Sequence, residues 1–133
     1  MAPVAVVIVI AVLQYIAFGA LVGKARGRYG VKAPAVAGHE VFDRYFRVQQ
    51  NTLELLIAFI PAISLFAIYV NPNWAAGIGL VYVVGRQLYL HGYVADPSRR
   101  SLGFSLSALP ILLLLAGALL GAVRAWLESN PGV

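Results

Sequence analysis

Three side chains that could bind a charged ligand lie next to a long apolar run of this sequence. The stretch FDRYFRVQQNTLELL, residues 42–56, carries Arg47, Asn51 and Glu54 and leads directly into IAFIPAISLFAIYV. Charged groups at membrane depth are energetically expensive and commonly mark functional sites. Arginine forks suit carboxylates and phosphates, and a glutamate can hold an ammonium group. Because the sequence has no glycine-rich phosphate loop, these residues favour a zwitterionic peptide over a phosphate as the ligand.

Helical periodicity places the polar side chains on two stripes. On a wheel at ~100° per residue, the first stripe spans about 120°, and its members are Arg44, Arg47, Gln50, Asn51 and Glu54. Gln49 points roughly the other way. The second stripe spans about 60° and is formed by Tyr82, Arg86, Tyr89 and Tyr93. A tight Asn-Pro-Asn turn at 71–73 makes the two segments an antiparallel hairpin, so the stripes can face each other. We expect Glu54 and Arg86 to pair, since a counter-charge lowers the cost of burying each group.

These stripes have two interpretations. They could form an internal network of ion pairs and hydrogen bonds that only holds helices together. Such a network should be nearly neutral, whereas the arginines of the stripes and of the third loop outnumber the one deep carboxylate, Glu54. A surplus of fixed positive charge at one depth predicts a cavity for an anion, and we favour that interpretation.

Four apolar stretches supply the helices that must hold these side chains. Of the 133 residues 61% are hydrophobic, and the mean hydropathy is +0.83, whereas a soluble domain is about half apolar. Each stretch approaches the ~20 residues that cross a ~30 Å hydrocarbon core. We predict an all-α integral membrane four-helix bundle, one domain over residues 1–133 with helices at about 3–24, 40–70, 73–95 and 101–128. A soluble bundle of the same helices would have almost no polar surface to meet water. The first helix is expected to end near residue 23, because the glycine-rich KARGRYG that follows is a poor helix former.

The distribution of basic residues predicts the orientation in the membrane. Six basic residues lie in or beside the first loop and two in the third, whereas the second loop has none. By the positive-inside rule, loops one and three face the cytoplasm and both termini lie on the opposite side. Lys24, Arg28 and Lys32 are interpreted mainly as this topology signal.

The sequence contains no cysteine, which removes disulfides, thiolate metal sites and a cysteine nucleophile. Any thiol chemistry must therefore use a thiol brought in by a substrate. His39 and His91 are far apart and lack a second ligand at i+4, so no metal is expected. His39 is expected to be a loop or cap residue, and His91 lies off the second stripe. No nucleic-acid partner is expected.

Three segments resemble the membrane-associated proteins in eicosanoid and glutathione metabolism. FDRYFRVQQNTLELL is similar to the signature E-R-x-x-R-A-x-x-N-x-x-E that opens the second helix of that family. RYGVKAPAVAG before it and GLVYVVGRQLYLHGYVADPSRRSLGFSLS after it agree in order and spacing. The resemblance covers nearly the whole chain and is strongest to the microsomal glutathione transferase and leukotriene C4 synthase branch.

This resemblance implies a homotrimer of four-helix subunits that binds glutathione, as a co-substrate, between neighbouring subunits. The positions it implies for direct glutathione contact are Arg47, Asn51, Glu54, Tyr89 and Tyr93. Gln49 and Arg26 match positions that reach the neighbour's site, and Arg86 matches an arginine near the site. Arg100 matches the arginine that faces the glutathione sulfur and stabilises its thiolate, although Arg99 beside it leaves a one-residue slip open.

The implied function is a membrane-bound glutathione transferase acting on hydrophobic electrophiles, with peroxidase activity toward lipid hydroperoxides as a further expectation. Leu55 stands where leukotriene synthase has a tyrosine, and Gly27 stands where it has a second basic residue. These departures favour a general detoxifying transferase over leukotriene synthesis. Two other classes stay open: a non-catalytic lipid-binding scaffold of the same family, and an ion or proton carrier. The expected partners are glutathione, a hydrophobic electrophile or lipid, the membrane, and further copies of the chain.

Overall fold

The computed structural model describes residues 1–132 and contains four long α-helices joined by short connections. They are α1 (Ala2–Tyr29), α2 (Glu40–Tyr69), α3 (Pro72–Ala95) and α4 (Arg100–Ser129), with one 3-10 turn, Pro97–Arg99, before α4. No β-strand occurs within residues 1–132. The predicted all-α four-helix architecture is therefore confirmed.

Three of the four helices are long and apolar enough to cross a membrane: α1, α2, and α4 together with the 3-10 turn. Helix α3 is not among them, because Arg86, Gln87 and His91 lower its mean hydropathy. Its 24 residues, at ~1.5 Å per residue, still reach across a ~30 Å hydrocarbon core. A fourth crossing stays a prediction from the sequence.

Polar side chains cap the N-termini of two of the helices. At the start of α2, Nδ1 of His39 accepts a hydrogen bond from the backbone N–H of Val41 at 3.1 Å, which confirms the predicted cap. At the start of α3, Oδ1 of Asn71 accepts from the N–H groups of Asn73 and Trp74 at 2.8 and 3.1 Å. Such caps satisfy N–H groups that have no partner inside the helix.

Helix α1 is longer than the sequence predicted. It continues to Tyr29 instead of ending near residue 23, and it stops at Gly30, whose left-handed backbone (φ 67°) disfavours any side chain. The additional turns hold because Val22 and Ala25 pack against Phe42 at the start of α2. Burial against a neighbouring helix outweighs the low helix propensity of the glycines in this segment.

Helices α2 and α3 lie side by side in the middle of the bundle, and α1 and α4 each pack against both of them. The main apolar core occupies the half near the α2–α3 turn, with Phe59, Ile63 and Leu114 among its fully buried members. Of the residues on the two polar stripes, only Tyr82 belongs to this core. The bundle therefore has an apolar half and a half that carries charged side chains.

Helices α3 and α4 approach so closely that only glycine fits at the contact. A Cβ added to Gly103 would lie 2.3 Å from the backbone N of Tyr89, and one added to Gly85 would lie 2.6 Å from the carbonyl carbon of Leu106. Small residues allow such close backbone approach between helices. The contact sets the position of Tyr89 against the first turns of α4.

We expect the substitution Gly103→Ala to lower the free energy of unfolding by about 1–3 kcal/mol, the usual range for overpacking. The new methyl group would meet backbone atoms, which cannot rotate away. The matched control is Gly77→Ala in α3, where a Cβ meets nothing within 4 Å and the change should be neutral or slightly stabilising. Unfolding of both variants in detergent measures the difference, and equal midpoints would contradict the close crossing.

Candidate functional site

A cavity of about 570 Å³ opens in the polar half of the bundle. Its volume lies in the range of small-molecule sites. The lining residues come from three helices: Arg47 and Asn51 from α2, Tyr89 and Tyr93 from α3, and Arg100, Ser101, Phe104 and Ser105 from α4. Among the described residues that line it, two are arginines and none carries a carboxylate. The cavity is therefore electropositive.

Five residues assigned to the site from the family resemblance share this cavity: Arg47, Asn51, Tyr89, Tyr93 and Arg100. The three other lining residues, Ser101, Phe104 and Ser105, are not among the site residues predicted from the sequence. Helical spacing from Arg100 could have found Phe104, which lies four positions further along the same face of α4, and Ser105 follows it directly in the chain.

The beginning of α4 adds to the positive potential of the cavity. Arg100 is the first residue of this 30-residue helix, and its Nη1 donates to the carbonyl oxygen of Pro97 at 3.2 Å. All four lining residues from α4 lie in its first two turns, so the positive end of the helix dipole borders the cavity. Before the helix, the backbone N–H of Ser98 donates to Asp96 at 3.0 Å, and this hydrogen bond lowers the pKa of the Asp96 carboxyl.

Glu54 does not pair with Arg86, so that prediction is wrong. The Glu54 carboxylate lies 3.9 Å from Nη1 of Arg47, and its side chain is 60% exposed. In the antiparallel hairpin Arg86 meets Asn51, so Glu54, nearly one turn further along α2, lies at another depth and points out of the core. Glu54 therefore borders the cavity only through Arg47.

Arg86 is the buried cation of this region and is completely enclosed. Its Nε donates to Oγ of Ser107 at 2.8 Å, and its Nη1 donates to Oδ1 of Asn51 at 2.7 Å and to Oγ1 of Thr52 at 3.2 Å. Its guanidinium carbon lies 4.4 Å from the ring centre of Tyr89. Within residues 1–132 no carboxylate oxygen lies within 4 Å of it. Neutral acceptors and an aromatic ring therefore hold this charge.

Arg86, which the resemblance implies to lie near the site, lies behind the wall of the cavity and does not line it. Its hydrogen bond occupies Oδ1 of Asn51, which leaves the Nδ2 donor of Asn51 for a ligand. The hydroxyls of Ser107 and Thr52 each donate to the carbonyl four residues earlier, at 2.6 and 2.8 Å, so their lone pairs accept from Arg86. Arg86 is thus a positioning residue for the α2 side of the cavity.

Gln49 and Arg26, which the resemblance implies to reach a neighbour's site, lie outside this cavity. Gln49 covers Gly19 of α1, where an added Cβ would lie 2.8 Å from its Nε2. Nη1 of Arg26 donates to the carbonyl oxygen of Ala35 at 2.7 Å, and its guanidinium lies 4.9 Å from the ring centre of Phe42. The Gln49 side chain thus contacts α1, and the Arg26 side chain contacts the first loop and the start of α2.

Arg44, a member of the first predicted stripe, also lies outside the cavity. Its Nη1 donates to the carbonyl oxygen of Val94 at 3.0 Å, near the end of α3, and its Nη2 lies 2.5 Å from Glu40. A cation at this place satisfies carbonyls at a helix C-terminus. The surplus of positive charge at the cavity therefore comes from Arg47 and Arg100, with Arg86 behind the wall.

Comparison with known proteins shows similarity along nearly the whole chain. The sequence model of the MAPEG family matches residues 4–120. The uncharacterized protein sll1147 of Synechocystis is 45% identical over 116 residues, which cover 87% of this chain and 85% of that protein. Microsomal glutathione S-transferase 2 of Homo sapiens is 43% identical over 126 residues, 94% of this chain and 85% of the enzyme. Leukotriene C4 synthase of Cavia porcellus is 32% identical over 125 residues, 94% and 83% of the two chains.

We expect Asn51→Leu to reduce the free energy of unfolding by about 1.5–3 kcal/mol, the range for a hydrogen bond to a charged group. The substitution removes the acceptor at 2.7 Å from Arg86 and leaves a buried cation with fewer partners. In an Arg86→Met background the same change should be nearly neutral, because no buried charge then lacks a partner. Chemical unfolding of the four variants in detergent measures the coupling. Equal losses in both backgrounds would show that Asn51 does not support the charge of Arg86.

Proposed function

Because the chain belongs to the MAPEG family, we propose that it is a membrane-bound glutathione transferase that activates glutathione as a thiolate for attack on hydrophobic electrophiles. The chain is an integral membrane protein with little structure outside its helices. The observation that carries the proposal is the electropositive cavity whose walls include Arg47, Asn51 and Arg100. A cavity of this charge in an apolar bundle suits a small anion.

Glutathione has chemical groups that match those offered at the cavity. It carries two carboxylates, an ammonium group and a thiol. Arg47 can hold a carboxylate through a charge-assisted fork, while the amide of Asn51 and the hydroxyls of Tyr89 and Tyr93 can bind the peptide backbone. Glu54, exposed and 3.9 Å from Arg47, is available for the ammonium group.

Activation of the thiol depends on the positive charge at the start of α4. A free thiol has a pKa near 8.5, and the thiolate is the nucleophile. Lowering that pKa by about two units requires roughly 2.7 kcal/mol of preference for the anion. Arg100, helped by the helix dipole and by Arg86 behind the wall, supplies this preference in a partly dehydrated site. The thiol proton passes to water, the thiolate forms a carbon–sulfur bond, and the leaving group departs as an anion.

An apolar groove gives a hydrophobic electrophile a route from the bilayer. The groove lies between α3 and α4, shares Ser105 with the cavity, and is otherwise lined by apolar side chains that include Val81, Leu106 and Leu109. A bilayer-soluble substrate would therefore meet the thiolate at the junction near Ser105. Lipid hydroperoxides could use the same route. In that second activity two glutathione thiols would be oxidised to a disulfide, and their two electrons and two protons would reduce the hydroperoxide to an alcohol and water.

We propose that three copies of the chain form a homotrimer and that each site lies between neighbours. Gln49 and Arg26 do not line the cavity of their own subunit, which agrees with the role toward a neighbour's cavity that the family resemblance implies for them. The site would face the cytoplasm with both termini on the opposite side, as the distribution of basic residues predicts.

We expect Arg100→Ala to reduce turnover with an aryl halide far more than it weakens glutathione binding. Loss of a two-unit pKa depression lowers the thiolate fraction roughly 50- to 100-fold at pH 6, and the deficit shrinks as the pH passes 8.5, where a free thiol ionises unaided. Stopped-flow thiolate absorbance and steady-state conjugation across this pH range measure both effects. Arg99→Ala, which alters a residue outside the cavity, is the matched control.

Two outcomes of that experiment would count against the proposal. If Arg100→Ala kept a normal thiolate absorbance while Arg99→Ala lost it, the two arginines would exchange roles. If the unaltered protein bound glutathione but conjugated no aryl halide at any pH, a non-catalytic lipid-binding scaffold would replace the transferase.

The shared site predicts rescue between subunits. Arg26→Ala and Arg100→Ala homo-oligomers should both be impaired, whereas mixed oligomers of the two variants should regain part of the activity, because some sites then combine an intact Arg26 with an intact Arg100. Co-expression with two affinity tags and conjugation assays on the doubly purified protein measure this. Mixed oligomers no more active than either parent would place both arginines in the site of one subunit.

A further inference from the structure

A smaller cavity lies at the first-loop end of α1 and shares no residue with the cavity proposed to bind glutathione. Its volume is about 100 Å³, and it is lined by Leu21, Lys24, Ala25, Arg28, Tyr29 and Tyr45. The two cations are one helical turn apart on α1, and the guanidinium of Arg28 lies 5.6 Å from the ring centre of Tyr29. Two phenol groups and two cations therefore converge on a space outside the proposed active site.

The two cations of this cavity lack a counter-charge in the part of the chain that the structure describes. The three ion pairs found there belong to Arg44, Arg47 and Arg124, and no carboxylate lies within 4 Å of Lys24 or Arg28. Like charges at i and i+4 destabilise a helix. An anion bound between them would relieve this repulsion.

Below the cations the surface becomes apolar. Leu21 packs on the inner side against the buried cluster that contains Phe18 and Leu90. On the outer side α1 continues with Leu13 and Ile10, which are exposed and lie within about 60° of Lys24 and Arg28 on the helical wheel. A ligand that fits this surface has an anionic end and a long apolar end.

We propose that this cavity binds the phosphate of an anionic phospholipid, whose acyl chains lie along the exposed apolar face of α1. The volume corresponds to about three water molecules at ~30 Å³ each, enough for a phosphate group. Basic pockets between membrane helices on the cytoplasmic side are suited to such headgroups. The family resemblance implies that Arg26 lies toward the neighbouring subunit. Lys24 and Arg28 point about 160° away from Arg26 around α1, so the cavity stays open in the proposed trimer. This proposal does not depend on the proposed transferase function.

The test measures how strongly the purified full-length chain retains phosphatidylglycerol compared with phosphatidylcholine, by native mass spectrometry from a zwitterionic detergent. The double variant Lys24→Gln/Arg28→Gln should bind phosphatidylglycerol roughly 25-fold more weakly, at about fivefold for each basic residue. The control is Lys32→Gln, at an exposed position of the first loop outside the cavity. It should change binding by no more than about twofold, because distant exposed charges are screened by salt.

Further arms of the experiment decide the remaining outcomes. The charge-conserving variant Lys24→Arg/Arg28→Lys should retain the lipid, and aryl halide conjugation should be unchanged in every folded variant. If the double variant does not fold, the single variants should each lose about fivefold. Equal retention of phosphatidylglycerol by the unaltered chain and the double variant would overturn the proposal and leave these residues as topology signals. Displacement of the lipid by excess inorganic phosphate would also overturn it, in favour of a soluble anion.

Discussion

The structure of the polar half depends on one buried charge, that of Arg86. An unpaired ion inside an apolar bundle is very unfavourable unless its hydrogen-bonding groups are satisfied. Three elements provide for it: Asn51 and Thr52 on α2, Ser107 on α4 and the ring of Tyr89 on its own helix. Its Nη2 has no hydrogen-bond partner among the described residues. The guanidinium therefore ties three helices together at the depth where the cavity opens, while most of its positive charge stays uncompensated.

The close crossing of α3 and α4 makes this arrangement possible. Gly85 and Gly103 let the two backbones touch, which brings Ser107 within reach of Nε of Arg86 and places Tyr89 beside the first turns of α4. The cavity is then formed by rigid helical positions, with the start of α4 as its positively charged side. Side chains on packed helices are held more precisely than side chains on loops. The electrostatic character of the site thus follows from helix packing more than from any single contact.

The net charge of +5 is distributed over places with different physical roles. Arg44 satisfies carbonyls at the end of α3, Arg26 holds the first loop against Phe42, and Arg86 joins helices. Arg47 and Arg100 line the cavity. The total number of arginines therefore overstates the positive charge that a ligand in the cavity would meet. Arg47 and Arg100 nevertheless line the cavity, and none of its described lining residues carries a carboxylate.

Some of this could be predicted from the sequence by itself. Hydropathy and helical periodicity determined four helices, and the spacing within residues 42–56 placed Arg47 and Asn51 on one face, because the direction of a side chain follows from its position along a helix. The cap of α2 at His39 was also predictable, since a side chain at a helix N-terminus needs only local partners.

Tertiary structure decided which groups meet. A helical wheel gives the direction of a side chain around one helix axis, but not the depth at which it meets a second helix. The wheels therefore predicted that Arg86 pairs with Glu54. In the structure, the register of the α2–α3 hairpin brings Asn51 to Arg86, and α4 brings Ser107. The continuation of α1 to Tyr29 likewise depends on burial against Phe42, which no local propensity contains. The packing of segments that are distant in sequence determines which groups contact a buried charge, and no single stretch of the chain specifies that packing.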